Sequence, residues 1–172
     1  VLCFEPNPAA CAVLKKNIEV NKWGDEVQVF PYALGNKKGS VEFFVENKEA
    51  TSSGGSVANY LGTKGRMLNS YMVDVEMLSS YIDKPVDLLK IDIEGGEWDV
   101  LDDLIVTGAL SKVSRLQLEY HFIPGFFTKT LSEMLVLLEK NGFKTFVQPT
   151  APPHQIIGHE TPHAYMIFAW RP

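Results

Sequence analysis

The stretch "LLKIDIEGGEWDVL", residues 88–101, constrains the fold more than any other. "PVDLLKIDI" is a near-continuous apolar run, the pattern of a strand buried on both faces in a parallel sheet. It ends abruptly in acids and glycines, with Asp92, Glu94, Gly95 and Gly96 in succession around Ile93. Gly95 and Gly96 allow a sharp strand-to-helix turn. Glu97 and Asp99 fit the first turn of the next helix, where acids complement its dipole. "GEWDVLDDLIVTGAL" then carries amphipathic helical spacing. A buried strand feeding a helix in this way is the repeating unit of an α/β fold.

The flanking segments extend the pattern. Val1–Phe4 reads as a short buried strand stopped by "EPNP". A helix is predicted from Pro8 to Lys22, with Pro8 in its first turn and Gly24 as its C-cap. Val27–Leu34 is a second strand in which Pro31 marks an edge or a bulge. Ser40–Glu46 returns from the "GNKKG" turn as a third strand, expected to form a hairpin with the second. Residues 47–70 are small and polar without a period, and read as a long surface loop.

"YMVDVEML" alternates like a half-exposed strand and leads into a short helical turn, and "VSRLQLEYH" is a further strand. Thr128–Asn141 reads as a helix capped by Thr128 and closed by Gly142. "FKTFVQPT" and "HAYMIFAWRP" follow with no helix between them, so they are expected to pair antiparallel at one edge. No internal repeat, linker or second domain is visible. Residues 1–172 therefore read as one α/β domain, with helices on both faces of a mostly parallel sheet.

Bulk properties narrow the function. Hydrophobic residues make up 45% and charged residues 22% of the 172, the balance of a soluble globular protein. A net charge of −5 without a basic run argues against a nucleic-acid backbone as main partner. Cys3 and Cys11 match no metal-ligand spacing and read as small buried or half-buried residues, which suits a reducing, cytoplasmic setting. No apolar run reaches the roughly 20 residues of a membrane span. The chain opens inside an apolar stretch with no lead-in, so a preceding segment is expected.

In open α/β sheets, ligands bind beyond the carboxyl ends of the strands. Three predicted strand ends carry acids here: Glu5 after "VLCF", Asp92 with Glu94 after "LLKI", and Glu119 with His121 after "LQL". If those strands are parallel, all three groups line one rim. Glu5 suits hydrogen bonding to both hydroxyls of a ribose, although an acid before a helix also complements its dipole.

"VLCFEPNP", "LLKIDIEGGEWDVL" and "LQLEYH", in this order and at these separations, resemble the FkbM-type S-adenosylmethionine-dependent methyltransferases over essentially the whole chain. The resemblance implies a seven-stranded, Rossmann-like class I methyltransferase fold with antiparallel C-terminal edge strands. It implies S-adenosylmethionine as cofactor and a hydroxyl of a sugar, polyketide or other small molecule as acceptor. Glu5 would hold the cofactor ribose, with Pro6 and Asn7 shaping its loop. Ala33 and Leu34 would wall the adenine, and Asp92 would lie nearest the methyl group. Glu119 and His121 would face the acceptor. The family's glycine-rich first-strand motif lies upstream of "FEP" and has no counterpart in this sequence, and "SSGGS" does not replace it. The domain is thus expected to lack its first strand and helix.

Methyl transfer to a hydroxyl needs alignment and a proton acceptor. Asp92, Glu119 and His121 are the candidates. His121 is favoured for an unperturbed pKa near 6.5, against the alternative that it only caps a strand end. Asp92, Glu94, Glu119 and His121 could also furnish ligands for a divalent cation, but spacing across separate strands is not diagnostic and no metal is expected. His154, His159 and His163 read as a solvated loop. "HFIPGFF" lines an acceptor pocket or packs under the next helix. Two other functions compete: a nicotinamide-dependent oxidoreductase, for which "DIEGGEW" has no role, and an inactive methyltransferase-like fragment serving as a binding module.

Overall fold

The computed structural model describes residues 1–46, 55–58, 68–122, 126–150 and 163–172. The element order is β1 (Leu2–Phe4), α1 (Pro8–Val20), β2 (Gln28–Phe30), β3 (Ala33–Leu34), β4 (Gly39–Val45) and β5 (Asn69–Glu76), then β6 (Leu89–Ile91), α2 (Glu97–Val106), β7 (Arg115–Phe122), α3 (Leu131–Lys140), β8 (Lys144–Pro149) and β9 (His163–Trp170). Two 3-10 turns, Leu78–Tyr81 and Ala109–Lys112, precede β6 and β7. Among the described residues no helix is long and apolar enough to cross a membrane. Most of the expected 47–70 loop, and His154 and His159, lie outside the described residues.

The strands form three sheets in the orders β1-β2, β3-β5-β4 and β6-β7-β9-β8. This corrects the expectation of one mostly parallel sheet. Parallel ladders join only β1 to β2, β3 to β5 and β6 to β7, over two or three residue pairs each. The antiparallel ladders β4–β5, β7–β9 and β8–β9 run for six to eight pairs. The physical cause is local. "EPNP", Pro31 and the "DIEGG" turn cut the parallel strands short, whereas nothing interrupts the antiparallel ones. The expected antiparallel C-terminal pair is present as β8–β9, with β9 inside the sheet.

Pro31 divides Val27–Leu34 into two strands, since it has no N–H to donate to a ladder. β2 stays with β1, and β3 crosses to β5. The expected hairpin does not form, because β5 lies between β3 and β4. The first strand is also less buried than its apolar letters suggest, with Val1 80% and Leu2 44% exposed.

The helices show why each segment is helical and where it stops. In α1, the Asn7 side chain accepts from the Ala9 and Ala10 amides, and Pro8 occupies the first turn. Its C-cap is Asn21, not the predicted Gly24. Lys22 takes the left-handed conformation at φ 59°. The Lys22 and Trp23 amides then donate to Glu19 and Ile18, closing a Schellman motif. In α3 the cap is Thr130 rather than Thr128. Thr130 and Glu133 form a reciprocal capping box, and Leu131 in place of an acid denies Thr128 the same partner. Gly142 ends α3 at φ 83°, as expected.

The main core lies where α2 and α3 pack on the four-stranded sheet. Val100, Leu101 and Leu104 of α2, Met134 and Leu138 of α3, Leu116, Leu118 and Tyr120 of β7, and Ile167 of β9 are all within 1% of full burial. Each such Leu contributes roughly 1.5–3 kcal/mol of transfer free energy. Asp103, on the α2 face opposite solvent, accepts from the amide and hydroxyl of Ser79 at 2.8 and 2.6 Å and fixes the first 3-10 turn. A smaller core joins Ala33, Phe43, Val45 and Val73. Arg171 donates to the carbonyls of Leu110, Val113 and Asn141 and stacks on Phe143, holding the chain's end to the helices. Cys3 is half-buried, Cys11 is buried, and both are free.

The caps yield a paired stability prediction. Thr130→Ala should lose about 1 kcal/mol by removing the capping box. Lys22→Gly should gain about 1 kcal/mol by relieving the left-handed residue. Urea denaturation of the two variants checks both signs.

Candidate active site

Three strand ends deliver the acids to one side of the molecule. A pocket beyond β1, β3 and β6 is lined by Phe4, Glu5, Pro6, Asn7, Tyr32, Ala33, Leu34, Phe43, Gly55, Val57, Asp92 and Ile93. The five residues singled out from the sequence for cofactor contact, Glu5, Asn7, Ala33, Leu34 and Asp92, all lie in that lining. Its walls are aromatic and aliphatic, and its two acids are Glu5 and Asp92.

Glu5 is held by its own loop. Its amide donates to the Phe30 carbonyl at 3.0 Å, and its Oε1 accepts the Asn7 amide at 2.8 Å. Burial pushes its carboxyl above the ordinary value, with the Asn7 bond partly offsetting. Nearby, the buried Tyr71 hydroxyl has no hydrogen-bond partner among the described residues. Its pKa is raised, by burial first and then by the Glu5 charge. Gly55 must be glycine here, since a Cβ would stand 2.4 Å from the Phe43 ring.

The other acids gather around His121. The β6–β7 register pairs Ile91 with Leu118, so Asp92 follows directly beside Glu119. Glu119 and His121 are two residues apart on β7 and share a face. His121 Nδ1 lies 2.8 Å from Glu97 Oε1, and its Nε2 lies 3.3 Å from Glu94 Oε2 and 3.9 Å from Glu119 Oε1. His121 and Glu97 are 6% and 1% exposed, so this pair is shut away from water. Ligating atoms of Asp92, Glu94 and His121 all lie within 4.8 Å of one another. Lys90 Nζ reaches Asp92 Oδ2 at 2.8 Å from the solvent side.

The turn that makes this possible is strained. Glu94 adopts φ 57° and Gly95 φ 108°, and only glycine takes the second without penalty. A Cβ on Gly95 would stand 2.5 Å from the Phe127 ring. The Gly95 amide donates to Glu97 Oε1 at 3.0 Å, and the Ser56 hydroxyl donates to the Glu94 carbonyl at 2.5 Å. Phe127 of "HFIPGFF" therefore packs against Gly95, while residues 123–125 lie outside the described ones.

Burial alone would lower the His121 pKa. The Glu97 hydrogen bond and charge, then Glu94 and Glu119, outweigh it and raise the value to about 9. The sequence alone favours His121 on an unperturbed value near 6.5, and these neighbouring acids favour the protonated ring instead. At neutral pH the ring holds a proton and cannot accept another. Glu119 is shifted upward, by burial first and then by Asp92.

Comparison with known proteins follows the same line. The family model described as the Methyltransferase FkbM domain matches residues 1–145. The chain belongs to the FkbM methyltransferase family. Its fold is similar to the crystal structure of Methyltransferase FkbM from Methylobacillus flagellatus KT, with a TM-score of 0.59 at 14% identity. The match covers 97% of this chain and 36% of that one. No curated protein sequence matches the chain.

Sequence reasoning passed over Glu97, reading it as a helix-dipole acid. Its spacing held the signal: Glu97, Val100, Leu101 and Leu104 fall on one helical face, so an acid there is buried and needs a partner. Tyr32 was also missed, one residue before the two that were chosen.

The raised His121 pKa makes stability depend on pH. The unfolded histidine titrates near 6.5, below the folded value of about 9. The stabilisation is therefore complete below about pH 6.5 and is lost as pH rises through about 9, by an amount on the order of 3 kcal/mol. Urea titrations at the two ends of this window, in chelator-containing buffer, should show the loss. His121→Gln should flatten it.

Proposed function

We propose that the chain is a single domain of an S-adenosylmethionine-dependent methyltransferase that acts on a hydroxyl oxygen of a sugar or other small molecule. The observation that carries this reading is the shared pocket of Glu5 and Asp92, in a chain of the FkbM methyltransferase family. A Rossmann-like arrangement of the parallel strand ends accords with it. The free thiols suit a cytoplasmic location.

The pocket residues fit the nucleoside end of such a cofactor. Glu5 offers a fixed carboxylate to a diol, and the Tyr71 hydroxyl, without a hydrogen-bond partner among the described residues, stands within reach of its charge. Tyr32, Ala33, Leu34 and Phe43 offer apolar walls to a base. Asn7 caps α1 and holds Glu5, which makes it a positioning residue. When bound, S-adenosylmethionine supplies a sulfonium methyl group.

The remaining residues serve the acceptor. Asp92 stands where the pocket and the His121 cluster meet, and orients the incoming hydroxyl. Glu119, with its carboxyl raised and its side chain only 25% exposed, is the better proton acceptor at that rim. With the cofactor bound, Glu119 would take the proton of the acceptor hydroxyl as the oxygen is methylated. His121, already protonated, holds Glu94 and Glu119 in place. Phe127 keeps water from the Gly95 side.

Binding of S-adenosylhomocysteine measured by isothermal titration tests the cofactor half. Glu5→Ala should weaken it by roughly 1.5–3 kcal/mol for each charge-assisted bond lost. Unchanged affinity would put the ribose elsewhere, and no binding by the unmodified protein would end the reading. Acceptor mixtures screened by mass spectrometry should show a product heavier by one CH2, and Glu119→Gln should slow its formation about 100-fold or more.

A further inference from the structure

The geometry points to a divalent-cation site formed by Asp92, Glu94 and His121, for a first-row transition ion such as Mn2+. Three observations carry it. Their ligating atoms already lie within 4.8 Å of one another. Metal–ligand bonds of about 2.1 Å place ligand atoms of one octahedral centre roughly 3 to 4 Å apart. Small rotations of two partly exposed carboxylates close that gap without moving the backbone.

The second observation is the orientation of His121. It is a polar side chain more than nine-tenths buried, with its Nε2 aimed into the cluster. Glu97, itself buried and outside the ligand set, engages Nδ1 at 2.8 Å and so fixes the ring. A carboxylate behind a histidine, on the nitrogen away from the ion, is the usual outer partner of a metal-bound imidazole. It sets the tautomer, and it is anchored here by the Gly95 amide.

The third observation is charge. Four carboxylates, Asp92, Glu94, Glu97 and Glu119, gather around His121 and Lys90, and an ion bound at Nε2 takes the place of any proton there. A dication meets the surplus. Lys90 bonds one oxygen of Asp92 and leaves the other for the ion. One imidazole among carboxylates favours Mn2+, Fe2+ or Zn2+ over Ca2+, which takes oxygen ligands throughout. With three protein ligands, positions remain open beside Asp92, at the pocket's edge. An acceptor bearing two neighbouring oxygens would fit them, and a hydroxyl bound there loses its proton more readily.

That role rests on the methyltransferase reading, but the binding does not. Mn2+ alone is therefore the probe, with neither cofactor nor acceptor present. Electron paramagnetic resonance of free Mn2+, titrated into chelator-stripped protein, should show one saturable ion per chain. Asp92→Asn and Glu94→Gln change partly exposed side chains and should fold, as circular dichroism will show. Each should weaken binding about tenfold or more, and Glu97→Gln, which leaves every ligand in place, by about 10- to 100-fold. No saturable binding below about 1 mM, or binding unchanged in both ligand variants, overturns the site and leaves His121 a protonated ring among acids. Either result leaves S-adenosylhomocysteine titration free to judge the methyltransferase reading separately.

Discussion

The buried pair of Glu97 and His121 is the constraint on which the rest of the site depends. An acid 1% exposed beside a histidine 6% exposed is tolerable only because the two neutralise each other. Removing either partner leaves a charge stranded in the core, a loss of about 3–5 kcal/mol. The pair also ties elements that share no ladder. Glu97 opens α2, His121 nears the end of β7, and the Gly95 amide binds the same carboxylate oxygen. The strand-to-helix turn, the helix start and the next strand are thereby locked in one arrangement. The left-handed Glu94 persists because that arrangement leaves it no other path.

This explains why an apolar strand ends in so much negative charge. The acids after β6 have different tasks. Glu97 turns inward, Glu94 faces His121 from the strained turn, and Asp92 looks into the pocket shared with Glu5. Asp99 lies further along α2 and accepts from Asn36 at 3.1 Å, well away from the cluster. Its raised pKa comes first from burial and next from Asp102. Of the four, Asp99 alone bonds outside the pocket and the His121 cluster.

Much of this was legible in the letters, and what was not has identifiable causes. Helix positions and the antiparallel C-terminal pair follow from period and turn residues, which act within a few positions. Partner choice among strands does not. Nothing in "VQVFPYAL" says that β3 will leave β2 for β5, because that depends on a strand some 40 residues later. Caps were read one signal short. Thr128 and Gly24 look correct in isolation, whereas Thr130 is selected by Glu133 three residues on and Lys22 by the hydrogen bonds it closes. At the site, Glu5 and Asp92 stand out because strand ends are recognisable, whereas Asn7, Ala33 and Leu34 came from the family resemblance; all five line one pocket. The protonation of His121 was not legible, because it depends on an acid from another element.

Asp92 is where these threads join. It lines the pocket shared with Glu5 on one side and lies with Glu94 and His121 on the other. A group shared by two sites cannot be tuned for one alone. Lys90, from the solvent side, bonds one of its oxygens and leaves the other free of that contact. Had Asp92 been buried like Glu97, it would have required a permanent partner and been closed to ligands. Had it been fully solvated, its charge would have been screened. Its position at the mouth of the β6–β7 ladder keeps it between these limits. That position is set by the register of three residue pairs, Leu89–Leu116 to Ile91–Leu118. A slip of one residue would carry Asp92 to the opposite face from Glu119 and dissolve both sites at once.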